Sequence, residues 1–174
     1  MKNKVQYLGA FINKYEILEA ACRYGKQLSG IIENPHMTIL FAPNKKALNG
    51  FKKYIGKKIK LTLYQYANDG KNEGFRVRPV EGGLASEVMK YADDDIIPHI
   101  TVSVDGTVDE RTGEKKGKAV NTRHLFDGSF DDKVINIEPF EIEAVLGGYV
   151  ITEEKTEEKE FKVISKEQFI DIIS

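Results

Sequence analysis

Asn34-Pro35-His36-Met37-Thr38-Ile39-Leu40 and Ile97-Pro98-His99-Ile100-Thr101-Val102-Ser103 repeat one pattern, Pro-His-apolar-Thr-aliphatic, and hold two of the chain's three histidines. Both stretches alternate and are rich in β-branched residues, which marks them as strands. Side chains two apart on a strand share a face. His36, Thr38 and Leu40 therefore point one way, with Met37, Ile39 and Phe41 opposite; His99, Thr101 and Ser103 point one way, with Ile100, Val102 and Val104 opposite. The apolar faces must be packed on a core under helices. The other faces each present an imidazole followed by a hydroxyl. Pro35 and Pro98 stand at the first strand position, where a proline removes no needed ladder bond, so each motif begins at a strand end, where clefts form.

Working outward, Lys4 to Ile12 reads as a first strand, and Asn13 is a good N-cap for a helix to about Leu28, with apolar positions at Ile17, Leu18, Ala21, Tyr24 and Leu28 and with Gly30 closing it. The strand from His36 to Phe41 is broken by Pro43 and Asn44, before a short helix through Ala47, Leu48 and Phe51. Lys57 to Tyr66 alternates, and Asn68-Asp69-Gly70 turns it into Gly74 to Val80, forming a hairpin. Leu84 to Tyr91 is helical, and His99 to Val104 is the second histidine strand. Asp105 to Lys118 is a polar surface loop. Val134 to Thr152 supplies one or two strands interrupted at Gly147-Gly148, and Glu153 to Glu160 is a charged, solvated turn before a strand at Phe161 to Ile164. Ser165 to Gln168 opens a last helix, Lys166 to Ile173, with a capping box. Helices among mainly hairpin-joined strands predict an α+β fold rather than a doubly wound parallel sheet. One histidine strand in each half predicts two pseudo-symmetric lobes, each a mainly antiparallel sheet with flanking helices, around a central cleft. Residues 1–174 form a single bilobal domain on this reading.

With 41% hydrophobic and 30% charged residues the composition is that of an ordinary globular protein. No apolar run approaches the roughly 20 residues that cross a bilayer, and the first residues lack a long apolar core and a small-residue cleavage site. The expectation is a cytoplasmic protein without membrane contact or an obligate protein partner. A single cysteine, Cys22, excludes an intramolecular disulfide and a cysteine-built zinc site, and its place in the first helix predicts buried packing. The net charge of -1 conceals an asymmetry: residues 1–64 carry 12 Lys/Arg against 3 Asp/Glu, and the remainder carries the acidic excess. The basic part suits an anionic ligand, and it equally suits two solvated faces that attract each other. Lys52, Lys53, Lys57, Lys58 and Lys60, interleaved with Phe51, Tyr54, Tyr64 and Tyr66, suit nucleic acid or an edge strand guarded by lysines.

A repeated imidazole-plus-hydroxyl pair is equipment for a phosphate. Two histidines are thin supply for a metal, since a catalytic site needs about three protein ligands, although an unidentified carboxylate could complete one. No nucleophile-elbow sequence is present, and Pro-His-Ile-Thr-Val-Ser lacks the alternating histidines of a histidine-triad hydrolase. Hydrolysing a phosphodiester needs a base for the water proton, an acid for the departing ester oxygen, and donors for the non-bridging oxygens. Two imidazoles titrating near neutrality supply the first two, and Thr38 and Thr101 the third. Arg76 and Arg78 alternate on a hairpin strand, where they can reach phosphate or serve merely as an exposed face. Tyr149 can stack a base or complete a sheet, Tyr7 stands on the first strand at the cleft border, and His124 has no hydroxyl two residues on and reads as surface or helix-end packing.

His36-Met37-Thr38 and His99-Ile100-Thr101 resemble the paired His-x-Thr/Ser motifs of the two-histidine phosphoesterases, the superfamily of bacterial RNA ligase-like phosphodiesterases and cyclic phosphodiesterases of RNA processing. The strand-helix-strand start and the paired halves resemble that superfamily loosely over the whole chain. The resemblance implies His36 and His99 as catalytic residues, Thr38 and Thr101 as phosphate donors, no metal and no cofactor. The implied substrate is a 2′,3′-cyclic phosphate at an RNA end or on a nucleotide. A second substrate class is a cyclic di- or oligonucleotide signal, which related phage enzymes cleave to evade host immunity. A reading from another class is a non-catalytic nucleic-acid-binding module.

Overall fold

A computed structural model describes residues 3–152, 161–163 and 165–174. The fold is α+β, built on one large antiparallel sheet. Its strands are β1 (Asn3–Phe11), β2 (Gly30–Ile31), β3 (His36–Phe41), β4 (Lys58–Asn68), β5 (Asn72–Pro79), β6 (His99–Val104), β7 (Val134–Thr152) and β8 (Phe161–Val163). The helices are α1 (Lys14–Ala21), α2 (Lys45–Phe51), α3 (Gly83–Met89) and α4 (Lys166–Ile173). The strand order is β1-β3-β6-β5-β4-β7-β8, with β2 paired to β6 and β1 also paired to β7. Because the long β7 lies against β4 over its first part and against β1 over its second, the sheet curls back on itself.

Alternation divides the sheet into two faces. One carries Leu8 and Ala10, Met37 and Ile39, Leu61 and Leu63, Phe75 and Val77, Ile100 and Val102, and Ala144 and Leu146, all buried. The helices cover this face with Ile17 of α1, Phe51 of α2, Val88 of α3 and Phe169 of α4, each at most 1% exposed. Burying each such side chain stabilises the fold by about 1.5–3 kcal/mol. Asn13 caps α1 by accepting from the Tyr15 and Glu16 amides, Asn44 caps α2, and Ser165 with Gln168 forms the expected capping box on α4. The expected turn at Glu153 to Glu160 lies outside the described residues.

Three expectations are corrected. The first helix stops at Ala21 rather than near Leu28, because the next residues are engaged by the sheet. Gly25 passes so close to Tyr66 that a Cβ would sit 2.4 Å from its hydroxyl, and Gln27 donates to buried Glu73 at 3.0 Å. Gly30 consequently closes no helix; it lies in β2, against Val104. Cys22, at the helix C-cap instead of within it, is exposed, with its thiol directed to the Glu19 carbonyl. Gly147-Gly148 does not interrupt β7. Gly148 is small because the Phe169 ring packs on it, where a Cβ would lie 3.2 Å from the ring.

Candidate functional site

The two histidine strands are neighbours. β3 and β6 meet at the pair Met37 and Ile100, on the core face. Continuing that antiparallel register one residue each way sets His36 opposite Thr101 and Thr38 opposite His99 on the other face. The repeated motif is thereby folded against itself, each histidine at the register position opposite the other copy's threonine. Further pairings carry the row outward: Thr38 pairs with Gly9, Gly9 with Gly147, His99 with Arg76, and Arg76 with Gln65. Gly9 lets β1 and β3 approach closely beside Thr38, for a Cβ there would sit 2.8 Å from the Met37 carbonyl oxygen.

Both imidazoles are anchored the same way. His36 Nδ1 lies 2.8 Å from the Asn34 carbonyl and His99 Nδ1 lies 2.7 Å from the Ile97 carbonyl, in each case the residue before the proline. A carbonyl only accepts, so each Nδ1 carries the proton and Nε2 is left with the lone pair. The Pro in each motif thus does more than begin a strand: it turns the preceding carbonyl back onto the ring that follows.

The surroundings of the two rings differ. His36 sits in an aromatic group: Tyr7 stacks on it at 4.5 Å between centroids, Phe11 lies at 5.3 Å, and Tyr149 stacks on Tyr7 at 4.6 Å. The Tyr7 hydroxyl is 3.4 Å from His36 Nδ1. Burial pushes His36 down to about 4, against the smaller upward pull of its Asn34 bond, and the charge of a protonated His99 disfavours its proton further. Burial lowers His99 as well, and the Arg123 guanidinium adds to that effect over the opposing Ile97 bond. Burial raises the Tyr7 phenol, and it raises Tyr149 to about 12, so both stay neutral and can donate.

His36 titrates lower in the folded chain than unfolded, so between about pH 6.5 and 4 the unfolded state binds more protons and stability falls as pH falls. His36→Gln is expected to flatten that acid limb. Denaturant midpoints measured from pH 7 to 4 check this; an equally steep loss in the variant would place the acid sensitivity elsewhere.

Arg76 lies beside His99. Its Nη1 donates weakly to Gln65 at 3.5 Å, while its buried Nε has no partner among the described residues. A desolvated guanidinium N–H without an acceptor is costly, and an incoming anion would relieve it. Arg76 and Arg78 both lie over the Tyr64 ring, at 5.8 and 4.8 Å, so they share the face of the histidines. His36, His99, Thr38, Thr101, Tyr7, Arg76, Arg78 and Tyr149 lie on this one face by strand alternation and pairing.

The two threonines differ. Thr38 is half-buried on the face, whereas Thr101 is buried and donates to Thr122 at 2.9 Å, with Thr122 accepting also from Asn72 at 2.9 Å. Arg123, the next residue on this 3-10 segment (Ala119–Phe126), was not legible as a site residue, because nothing in Asn121-Thr122-Arg123-His124 signals its approach to His99. His124 is on the surface, paired with Asp127 at 2.8 Å. Among the described residues no three His, Cys, Asp or Glu side chains gather as a metal site, and no helix is long and apolar enough to cross a membrane. No protein-family model matches the chain, and no curated protein matches it.

Proposed function

We propose that this protein is a metal-independent phosphodiesterase that opens a cyclic phosphate, at a 2′,3′-cyclic RNA end or on a nucleotide, using His36 and His99 as acid and base. The observation that carries the reading is the matched anchoring of the two imidazoles, each with Nδ1–H on a carbonyl two residues back and each opposite the other motif's threonine. Fixed rings with a defined tautomer are what proton transfer requires. The two halves of the sheet on either side of the β3–β6 contact are then the two lobes.

In the reaction, one neutral imidazole takes a proton from water as its oxygen bonds to phosphorus. The protonated imidazole gives its proton to the ribose oxygen as the phosphorus–oxygen bond breaks, leaving a phosphate monoester. Thr38 and Arg76 donate to the non-bridging oxygens, where negative charge is concentrated. Thr101 joins them by turning its hydroxyl from Thr122 to the phosphate. Donor chemistry favours protons over a metal, because the two histidines have no clustered third ligand among the described residues.

The test is incubation with a 2′,3′-cyclic nucleotide, a cyclic-phosphate RNA and a cyclic dinucleotide, each with and without EDTA. Cleavage of at least one that persists in EDTA is expected. Binding without cleavage of any would favour the nucleic-acid-binding reading. The pH profile gives a second check. One histidine must be neutral and the other protonated, and burial lowers both, so kcat/KM should form a bell whose alkaline limb falls below the ordinary histidine range near pH 6.5. The bound phosphate favours imidazolium, so the limb for kcat should lie higher. A rate rising monotonically with pH and needing added metal would overturn the mechanism.

A further inference from the structure

We propose that the groove at the far end of β5, lined by Thr62, Arg78, Glu81, Ser86, Met89 and Glu141, receives a second nucleoside with an amino-bearing base, so that the preferred substrate is at least a dinucleotide. This inference rests on the phosphodiesterase reading and adds a substrate class to it. The groove has a volume of about 550 Å³, within the range that small-molecule ligands occupy.

Its position follows from the strand. Arg76 pairs with His99, and Arg78 stands two residues along the same strand on the same face, about 7 Å further on. That distance is about one nucleotide step away from the phosphate that His99 and Arg76 would hold. Thr62 pairs with Arg78, and Glu141 with Thr62, so the groove floor is a second row across β5, β4 and β7, parallel to the row that carries His99. A substrate extended past the reacting phosphate on this side enters the groove.

The lining chooses a base over another phosphate. Glu81 and Glu141 place two carboxylates there against the single guanidinium of Arg78, an arrangement that repels an anion. Carboxylates only accept hydrogen bonds, so their complement is an N–H donor, which the exocyclic amino groups of guanine, adenine and cytosine supply. Arg78 lies over the Tyr64 ring at 4.8 Å, presenting a planar cation on which a base stacks. Pro79 and Met89 supply apolar surface for the sugar.

The experiment compares kcat/KM for guanosine 2′,3′-cyclic monophosphate with that for a dinucleotide carrying the same guanosine cyclic phosphate and an upstream cytidine. The dinucleotide is expected to be favoured at least tenfold. Glu81→Gln, which keeps size and removes charge, and Ser86→Tyr, which fills the groove, should both abolish the advantage while leaving the mononucleotide rate unchanged. Glu81 and Ser86 are exposed; Ser86→Tyr gives up the bond its hydroxyl accepts from the Gly82 amide at the start of α3, so a thermal melt of each variant accompanies the kinetics. Equal kcat/KM for the two substrates, or an advantage that survives both substitutions, overturns the subsite while the phosphodiesterase reading stands. Cleavage of neither substrate overturns that reading, and the subsite falls with it.

Discussion

His36→Ala and His99→Ala each lower cyclic-phosphate turnover by about 10²–10⁴-fold, the range over which a positioned general acid or base acts, and the double variant falls little further than the worse single one. Non-additivity is expected because acid and base act in one transition state: once either is gone, the other has no partner for its proton. The two losses should differ in pH dependence. Without His36 the remaining limb of the profile reports His99, lowered by burial and by Arg123; without His99 it reports His36, freed of its neighbour's charge. Folding controls come from the Nδ1 anchors. His36→Gln and His99→Gln keep a polar side chain at each position, so a melting temperature near that of the parent with turnover still absent separates catalysis from stability. Turnover that survives both alanine substitutions would sink the assignment, and a single bell unchanged in either variant would mean that neither histidine titrates in the rate.

The strands of this site were legible in the sequence because each has one wholly apolar face, and period-two alternation leaves no choice about which side chains share the other. That logic brought His36 with Thr38 and His99 with Thr101, and put Arg76 with Arg78. It could not bring β3 beside β6, since strand order is set by long-range pairing and the motif says nothing about its neighbour. Nor could it separate the hydroxyls. Thr38 and Thr101 are equivalent in pattern, yet only Thr101 meets Thr122, which arrives from a 3-10 segment and stands 21 residues later in the chain. Local propensity misled in two places for one reason. The Tyr24 and Leu28 spacing extends a helix, and Gly147-Gly148 reads as a break, but in both places another element determines the backbone: Tyr66 presses on Gly25, and Phe169 presses on Gly148.

Ser103 shows how far apart similar residues on one strand can stand in function, and Ser103→Ala is expected to cost stability rather than catalysis. Alternation puts Ser103 on the face of His99 and Thr101, but its hydroxyl is fully buried and donates at 2.7 Å to Glu73, itself fully buried. Glu73 also accepts from Tyr66 at 2.5 Å and from Gln27 at 3.0 Å, while Ser103 Oγ accepts from the Leu28 amide at 2.9 Å. Among the described residues no lysine or arginine pairs with this carboxylate, and its donors Ser103, Tyr66 and Gln27 are neutral. Removing the serine hydroxyl takes a donor from a buried carboxylate oxygen and an acceptor from a buried amide. Hydrogen bonds to charged groups contribute about 1.5–3 kcal/mol, and an orphaned buried partner costs more than the average bond, so the loss should be about 3 kcal/mol. For a chain of this size that lowers Tm by roughly 6–12 °C. Ser103→Thr should recover part of it if the added methyl is accommodated, and kcat at a temperature where the variant is folded should stay within a few-fold of the parent. A thermal melt and a turnover assay on the same preparation decide the matter: a normal Tm with turnover lost would move Ser103 into the reacting site, and the buried carboxylate would then need a different account of what solvates it.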